Sequence, residues 1–206
     1  PGRPLFTAAT GTALDTIKGY ARTIGAQLHE VRRPSGYAAG MHGSEQGINA
    51  ALAIKAAKAL GADTDERMLA YALNTAFLPG RLEHIGSRII LDVAHNPGSM
   101  QVLVKYLEST GFYGVGVFGV LADKDYSSML RQLAQVCRRI HIAPVLSERS
   151  WGDQEMDKFA EDPMVTRFSS ITEAFAHALR SGEAIVVTGS FYSVGEVRES
   201  LICTGS

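Results

Sequence analysis

The sequence predicts an α/β protein in two units, with a mainly parallel sheet in the second. Three observations carry this expectation. Beyond residue 83, short apolar runs alternate five times with amphipathic stretches, the pattern of parallel strands joined by right-handed helical crossovers. Before residue 78 the order is strand, helix, strand, helix, helix, a piece whose inner faces should be partly unsupported. Finally, polar clusters at 92–96, 122–125 and 189–192 each follow a predicted strand. In a parallel sheet the loops after the strands share one edge, so clusters distant in sequence can converge.

The first unit opens with an apolar run at 4–9, read as a strand. Leu14, Ile17, Tyr20, Ala21 and Ile24 then recur at helical spacing through 12–25. A second strand at 27–31 leads into a polar loop at 32–43. Residues 46–60 form an alanine-rich helix, alanine being the strongest helix former. Asp63 and Glu66 make an acidic start for a helix at 64–76. The unit is expected to span 1–78, with a linker at 79–82 that begins on the turn signal Pro79-Gly80. The second unit, 83–206, has predicted strands at 88–92, 115–121, 138–143, 165–168 and 184–188. Its helices are predicted at 98–110, 126–137, 153–161, 170–181 and 193–202, with Ser170 and Glu173 as a capping box for the fourth.

Hydrophobic residues make up 46% and charged residues 20%, an ordinary globular balance. The formal net charge of −1 gives no electrostatic reason to expect nucleic acid or an acidic membrane as partner. The apolar runs are too short to span a bilayer. Cys137 and Cys203 sit in apolar helical patterns, which suggests buried thiols in a reducing, cytoplasmic compartment. No histidine or cysteine spacing suggests a metal cluster.

The densest chemistry lies in residues 78–97, LPGRLEHIGSRIILDVAHNP. An isolated Arg81 follows the turn, and a short β-run ends in Asp92, His95, Asn96 and Pro97 before a helix. Such strand ends are where open α/β sheets place ligands. The plain alternative is that Asp92 and Asn96 make a turn and cap the next helix. Arg81 could be an exposed linker residue, and His95 a packed turn histidine. Lys124, between Asp123 and Asp125, could be a solvated charge cluster, and Ser190 an ordinary N-cap. Asn49, inside the alanine-rich helix, could be an incidental polar position. The run Gly114-Val-Gly116-Val-Phe-Gly119 imitates G-x-G-x-x-G but lies within a predicted strand, so it is rejected as a dinucleotide fingerprint. No G-x-x-x-x-G-K-[ST] occurs in the sequence.

Four blocks together resemble a known family. PGRLE at 79–83 with LDVAHNP at 91–97, GVLADKD at 119–125, TGSFYSVGEVR at 188–198 and QGINAALA at 46–53 are similar, in order, to motifs of folylpolyglutamate and dihydrofolate synthases. These are ATP-dependent amide ligases of the Mur-ligase-like superfamily. The resemblance implies a Rossmann-like C-terminal domain preceded by the tail of a Mur-ligase-type ATPase domain, the rest of that domain lying upstream. It implies ATP and Mg²⁺ as cofactors, and L-glutamate with a folate or pteroate as substrates.

By the same resemblance, Asn49 meets the adenine base, Arg81 grips ATP phosphates and Asp92 contacts the ribose. His95 lies near the transferred phosphate or the incoming amino acid. Lys124, Ser190 and Tyr192 bind that amino acid, with no metal ligand assigned. The family often has His-Gln where this chain has Glu45-Gln46, so no role is carried to the first of those positions. The chain alone is expected to be inactive. Two alternatives stay open: a Mur-type peptidoglycan ligase, and a noncatalytic protein that retains the ligase fold.

Overall fold

Apolar runs and amphipathic stretches condense into eight strands and eight α-helices among the described residues. The computed structural model describes residues 3–37, 40, 41, 43, 45–62 and 65–204, with side chains to residue 202. Two units separate by their internal contacts, Pro1–Phe77 and Leu78–Ser206.

In the first unit, β1 (Leu5–Thr7) pairs in parallel with β2 (Leu28–Glu30) across α1 (Gly11–Thr23). Leu14, Ala21 and Val31 are buried here. Helices α2 (Gln46–Ala59) and α3 (Glu66–Thr75) follow. Asp65 caps α3, accepting the Arg67 and Met68 N–H groups, while the expected acidic starter Asp63 lies outside the described residues. A two-stranded sheet has little face to offer. Leu60 and Tyr71 remain 80% and 73% exposed, and an open groove beside β1 is lined by Phe6, Ala56, Ala59 and Leu60.

The second unit is a six-stranded sheet of order β3-β4-β8-β5-β6-β7. Its strands are β3 (Glu83–Ile85), β4 (Ile89–Leu91), β5 (Gly114–Phe118), β6 (Cys137–Ile142), β7 (Val165–Arg167) and β8 (Ile185–Thr188). All pairs are parallel except the hairpin β3–β4. That hairpin strand escapes the sequence pattern: it is three residues long, two of them Glu83 and His84, so it has no apolar alternation. Residues 79–82, expected as a linker, are bonded into this unit: Val93 N–H donates to Gly80 O at 2.8 Å, and Leu82 is buried.

Strand residues alternate between two cores. Ile90, Phe118, Ile140 and Val186 face α4 (Pro97–Ser109) and α5 (Tyr126–Leu133), meeting Met100, Leu103, Leu107 and Met129. Leu91, Val115, Val117 and Val187 face α7 (Ile171–Arg180) and α8 (Phe191–Thr204), meeting Ala174, Phe175, Val194 and Val197. Burial on both sides explains why β5 and β8 read as continuous apolar runs. Helix α6 (Asp153–Met156) is shorter than predicted and passes into a 3₁₀ turn, Asp157–Phe159. Cys137 is buried, but at the start of β6 rather than in a helix, because α5 ends at Leu133; the Cys203 side chain lies outside the described ones.

The glycine run 114–119 serves packing. A Cβ on Gly114 would lie 2.1 Å from Ala184 O, and one on Gly119 would lie 2.5 Å from Ile171 Cδ1. The chain leaves β4, enters β5 two places away, and returns through β8 to fill the gap. The exits of β4, β8 and β5 are therefore neighbours on one edge, at the crevice where doubly wound sheets bind ligands.

Candidate active site

Strand β4 releases Asp92 first. Its N–H donates to Val187 O at 3.0 Å, continuing the ladder with β8 for one more residue. Its carboxylate turns back: Oδ2 accepts Leu82 N–H at 3.0 Å and Oδ1 accepts Ala94 N–H at 2.9 Å. Asp92 is 8% exposed, and burial raises its pKa against the opposing pull of these two amides. Leu82, with φ of +47°, is a left-handed non-glycine residue, and Asp92 holds its amide there. Arg81 is thus carried on a fixed turn.

Asn96 behaves as the plain reading proposed. Asn96 Oδ1 accepts Ser99 N–H at 2.9 Å in a capping box for α4, and Pro97 occupies the first turn. His95 Nδ1 lies 3.0 Å from Val93 O. A carbonyl only accepts, so Nδ1 carries the proton and Nε2 is the ring atom available to a ligand. The His95 ring packs against Phe191, centroids 5.5 Å apart, and Arg81 Cζ lies 5.9 Å from that same ring's centroid. Arg81 makes no ion pair among the described residues.

The β8 exit is a tight switch into α8. Gly189 has φ of +107°, and a Cβ there would sit 2.5 Å from Gly119 O, so only glycine fits between β8 and β5. The Ser190 side chain is buried and caps α8, Oγ accepting Ser193 N–H at 3.0 Å. Ser193 Oγ is itself tied to Thr188 O at 3.1 Å. The hydroxyl of Ser190 therefore serves the turn, while Phe191 and Tyr192 stand exposed at the helix start.

The β5 exit divides its three charges. Asp125 caps α5 by accepting Ser128 N–H at 3.0 Å. Lys124 Nζ pairs with Asp123 at 2.8 Å. The hydrogen bond from Lys124, with Arg149 nearby, holds the Asp123 carboxyl below its ordinary pKa. Lys124, His95, Ser190, Phe191, Tyr192 and Arg149 line one pocket of about 170 Å³. Four of the residues singled out from sequence thus come together: His95, Lys124, Ser190 and Tyr192. Arg81 joins them through Phe191, and Asp92 lies beneath as a buried support. Asn49 belongs to the first unit, exposed on α2, with Nδ2 donating to Gln46 Oε1 at 3.3 Å. Sequence reasoning missed Phe191, which lies inside the TGSFY block, and Arg149, which has no local signature.

Among the described residues no three His, Cys, Asp or Glu side chains converge on a metal position. No described helix is long and apolar enough to cross a membrane.

A family model described as Mur ligase, glutamate ligase domain, matches residues 80–191, more than half of the chain. The chain is 30% identical over 159 residues to a dihydrofolate synthase/folylpolyglutamate synthase of Escherichia coli, covering 73% of this chain and 37% of that protein. It is 30% identical over 170 residues to a folylpolyglutamate synthase of Lacticaseibacillus casei, covering 78% and 39%. The chain thus spans well under half the length of these relatives. Among solved structures, Mycobacterium tuberculosis folylpolyglutamate synthase complexed with ADP and AMPPCP matches with a TM-score of 0.79 at 22% identity, covering 94% of this chain and 54% of that one. The Thermotoga maritima folylpolyglutamate synthase matches at 0.75 and 24% identity, covering all of this chain and 56% of that one. At these identities the structural likeness speaks for the fold.

Proposed function

Because the chain belongs to the Mur ligase, glutamate ligase domain family, we propose that it carries the amino-acid site of an ATP-dependent ligase that adds L-glutamate to a folate. In that reaction ATP phosphorylates a folate carboxylate, the glutamate amine attacks the acyl phosphate, and phosphate leaves as the amide forms. A carboxylate is a poor electrophile at neutral pH, and the acyl phosphate removes that obstacle. The protein's part is positioning and charge stabilisation.

The observation that carries this reading is the pocket joining His95, Lys124, Ser190 and Tyr192 from three strand exits. Lys124 supplies a cation for a carboxylate. Ser190 acts through the turn it builds, which presents the backbone N–H groups at the start of α8. His95 Nε2 accepts from the incoming amine and helps orient it. Arg81, braced from below by Asp92, extends a guanidinium suited to phosphate. This geometry favours a positioning role for Asp92 over direct contact with ribose. Asn49, exposed on α2, offers donor and acceptor to an adenine edge.

Relatives have been solved with nucleotides, one from Yersinia pestis with AMPPNP and manganese, and we assign ATP and a divalent cation to the whole protein on that basis. Magnesium takes most of its ligands from phosphate and water, so few protein side chains need contact it. The phosphate-cradling loop and the folate site belong to the remainder of the ligase.

The test is a steady-state assay of the whole protein with dihydropteroate and tetrahydrofolate as alternative acceptors, beside the 206-residue chain alone. Glutamate-dependent phosphate release by the whole protein, and none by the chain, is the expected result. Turnover with a peptidoglycan precursor instead would favour the Mur-type reading, and no turnover with any acceptor a noncatalytic one.

A further inference from the structure

Arg149 reaches the pocket from a loop fastened on several sides. Its carbonyl accepts Ala122 N–H at 2.9 Å, and the adjoining Ser150 bridges to Leu121. The next residue, Trp151, is fully buried and donates Nε1–H to Ala143 O at 2.8 Å. On the other side, Glu196 of α8 accepts Leu146 N–H at 2.8 Å. The backbone is thus tied to the exits of β5 and β6 and to α8, while the Arg149 side chain stays 65% exposed. A pinned backbone with a solvent-exposed cationic head is preorganised for a ligand, because little backbone ordering is left to do on binding.

Asp123 shows where that head is directed. Its Oδ2 takes Lys124 Nζ at 2.8 Å and its Oδ1 takes Arg149 Nη2 at 3.0 Å. One carboxylate therefore holds both cations side by side, and the trio keeps one net positive charge. A ligand with a single carboxylate can engage one of the cations. A ligand with two can engage both and leave Asp123 to water.

We propose that Arg149 is a specificity-determining residue: with Lys124 it forms a paired-cation receptor for an amino acid bearing two carboxylates, and Asp123 is the internal counter-ion that such a ligand displaces. The inference rests on the amino-acid reading of the pocket and adds the reason a side-chain carboxylate is demanded. Glutamine, with an amide in place of that carboxylate, leaves Arg149 on Asp123.

Shift titrations of the isotope-labelled chain with L-glutamate and L-glutamine test this, using wild type, Arg149→Gln, Asp123→Asn and a control, Arg139→Gln. The control removes the same charge from an exposed pair with Glu183 elsewhere. Wild type and control should prefer glutamate. Arg149→Gln should weaken glutamate roughly ten- to a hundredfold and glutamine less than about threefold, the loss of one charge-assisted contact. Asp123→Asn should tighten glutamate, since no counter-ion remains to be displaced. Equal weakening of both ligands by Arg149→Gln, or none, overturns the role of Arg149 alone. Glutamate no tighter in Asp123→Asn overturns the displaced counter-ion. No response of the folded wild type to either amino acid overturns the amino-acid reading of the pocket, and the inference with it.

Discussion

Arg198, at the middle of α8, donates Nε–H to Glu83 Oε1 at 3.1 Å across 115 positions of sequence. Glu83 is 6% exposed, and its Oε2 also accepts Gly80 N–H at 2.8 Å. The pair ties the turn that carries Arg81 to the helix whose first residues line the pocket. Removing Arg198 leaves the Glu83 charge buried without its ionic partner. Arg198→Met should therefore destabilise the second unit by about 1–3 kcal/mol, at the low end of buried pairs because Arg198 is partly exposed to solvent. Denaturant unfolding of Arg198→Met, Glu83→Gln and the double variant checks this. Strictly additive losses would show that the two side chains act independently.

Asp92→Asn should cost about 1–3 kcal/mol, because an amide offers one acceptor where two backbone N–H groups need two. The pH dependence follows from the sign of the shift. Burial raises the folded-state pKa above the ordinary carboxylate value, so the folded protein binds more protons than the unfolded chain between the two values. Stability from this group is therefore highest below the ordinary pKa and falls as pH rises through the shifted one. Wild type minus Asp92→Asn, measured across the acid range, should decline in that window. A rise there would mean that the two amides outweigh burial.

Gly189→Ala should destabilise the second unit by more than the ~1 kcal/mol of an ordinary glycine replacement, since it adds a steric conflict at 2.5 Å to an unfavourable φ. The variant should also lose glutamate-induced shifts at residues 190–192 if it folds. Thermal melts read the first effect and titration the second.

Cys137 is 2% exposed, and burial pushes its thiol far above the usual range. A thiol so placed is inert. In a Cys203→Ser background, a thiol reagent should label the native chain only at the rate of unfolding. Prompt labelling would mean that β6 opens readily.

The parallel sheet and its helices were legible because strands buried on both faces must be continuously apolar, as Val115 to Phe118 and Ile185 to Val187 are. The edge strand Glu83–Ile85 was not, since its pairing comes from a hairpin rather than from its own pattern. The convergence of Lys124 and Ser190 followed from their places after strands. What those side chains do there did not: Ser190 and Asp125 turned out to cap helices, and Asp92 to hold a turn. A serine or aspartate at a strand exit can serve either backbone or ligand, and only three-dimensional partners decide which. Arg149 left no trace because its approach depends on the Leu121–Ser150 bridge, a contact between two loops without periodicity.

The division of labour within the proposed ligase is the most exposed prediction. Lys124→Ala in the whole protein should raise the KM for glutamate by roughly ten- to a hundredfold, the loss of one charge-assisted hydrogen bond, and change the KM for ATP little. Asn49→Ala should do the reverse, by a smaller factor because its amide is neutral and exposed. Ser190→Ala should resemble Lys124→Ala more weakly, and with a loss of stability near 1 kcal/mol, because its hydroxyl caps α8 rather than facing the pocket. His95→Ala should lower kcat more than it changes either KM, if the proposed orienting of the amine by Nε2 matters chiefly as the amine attacks. The ordering fails if Lys124→Ala raises the KM for ATP and leaves that for glutamate unchanged, for then the pocket at the exits of β4, β5 and β8 would belong to the nucleotide.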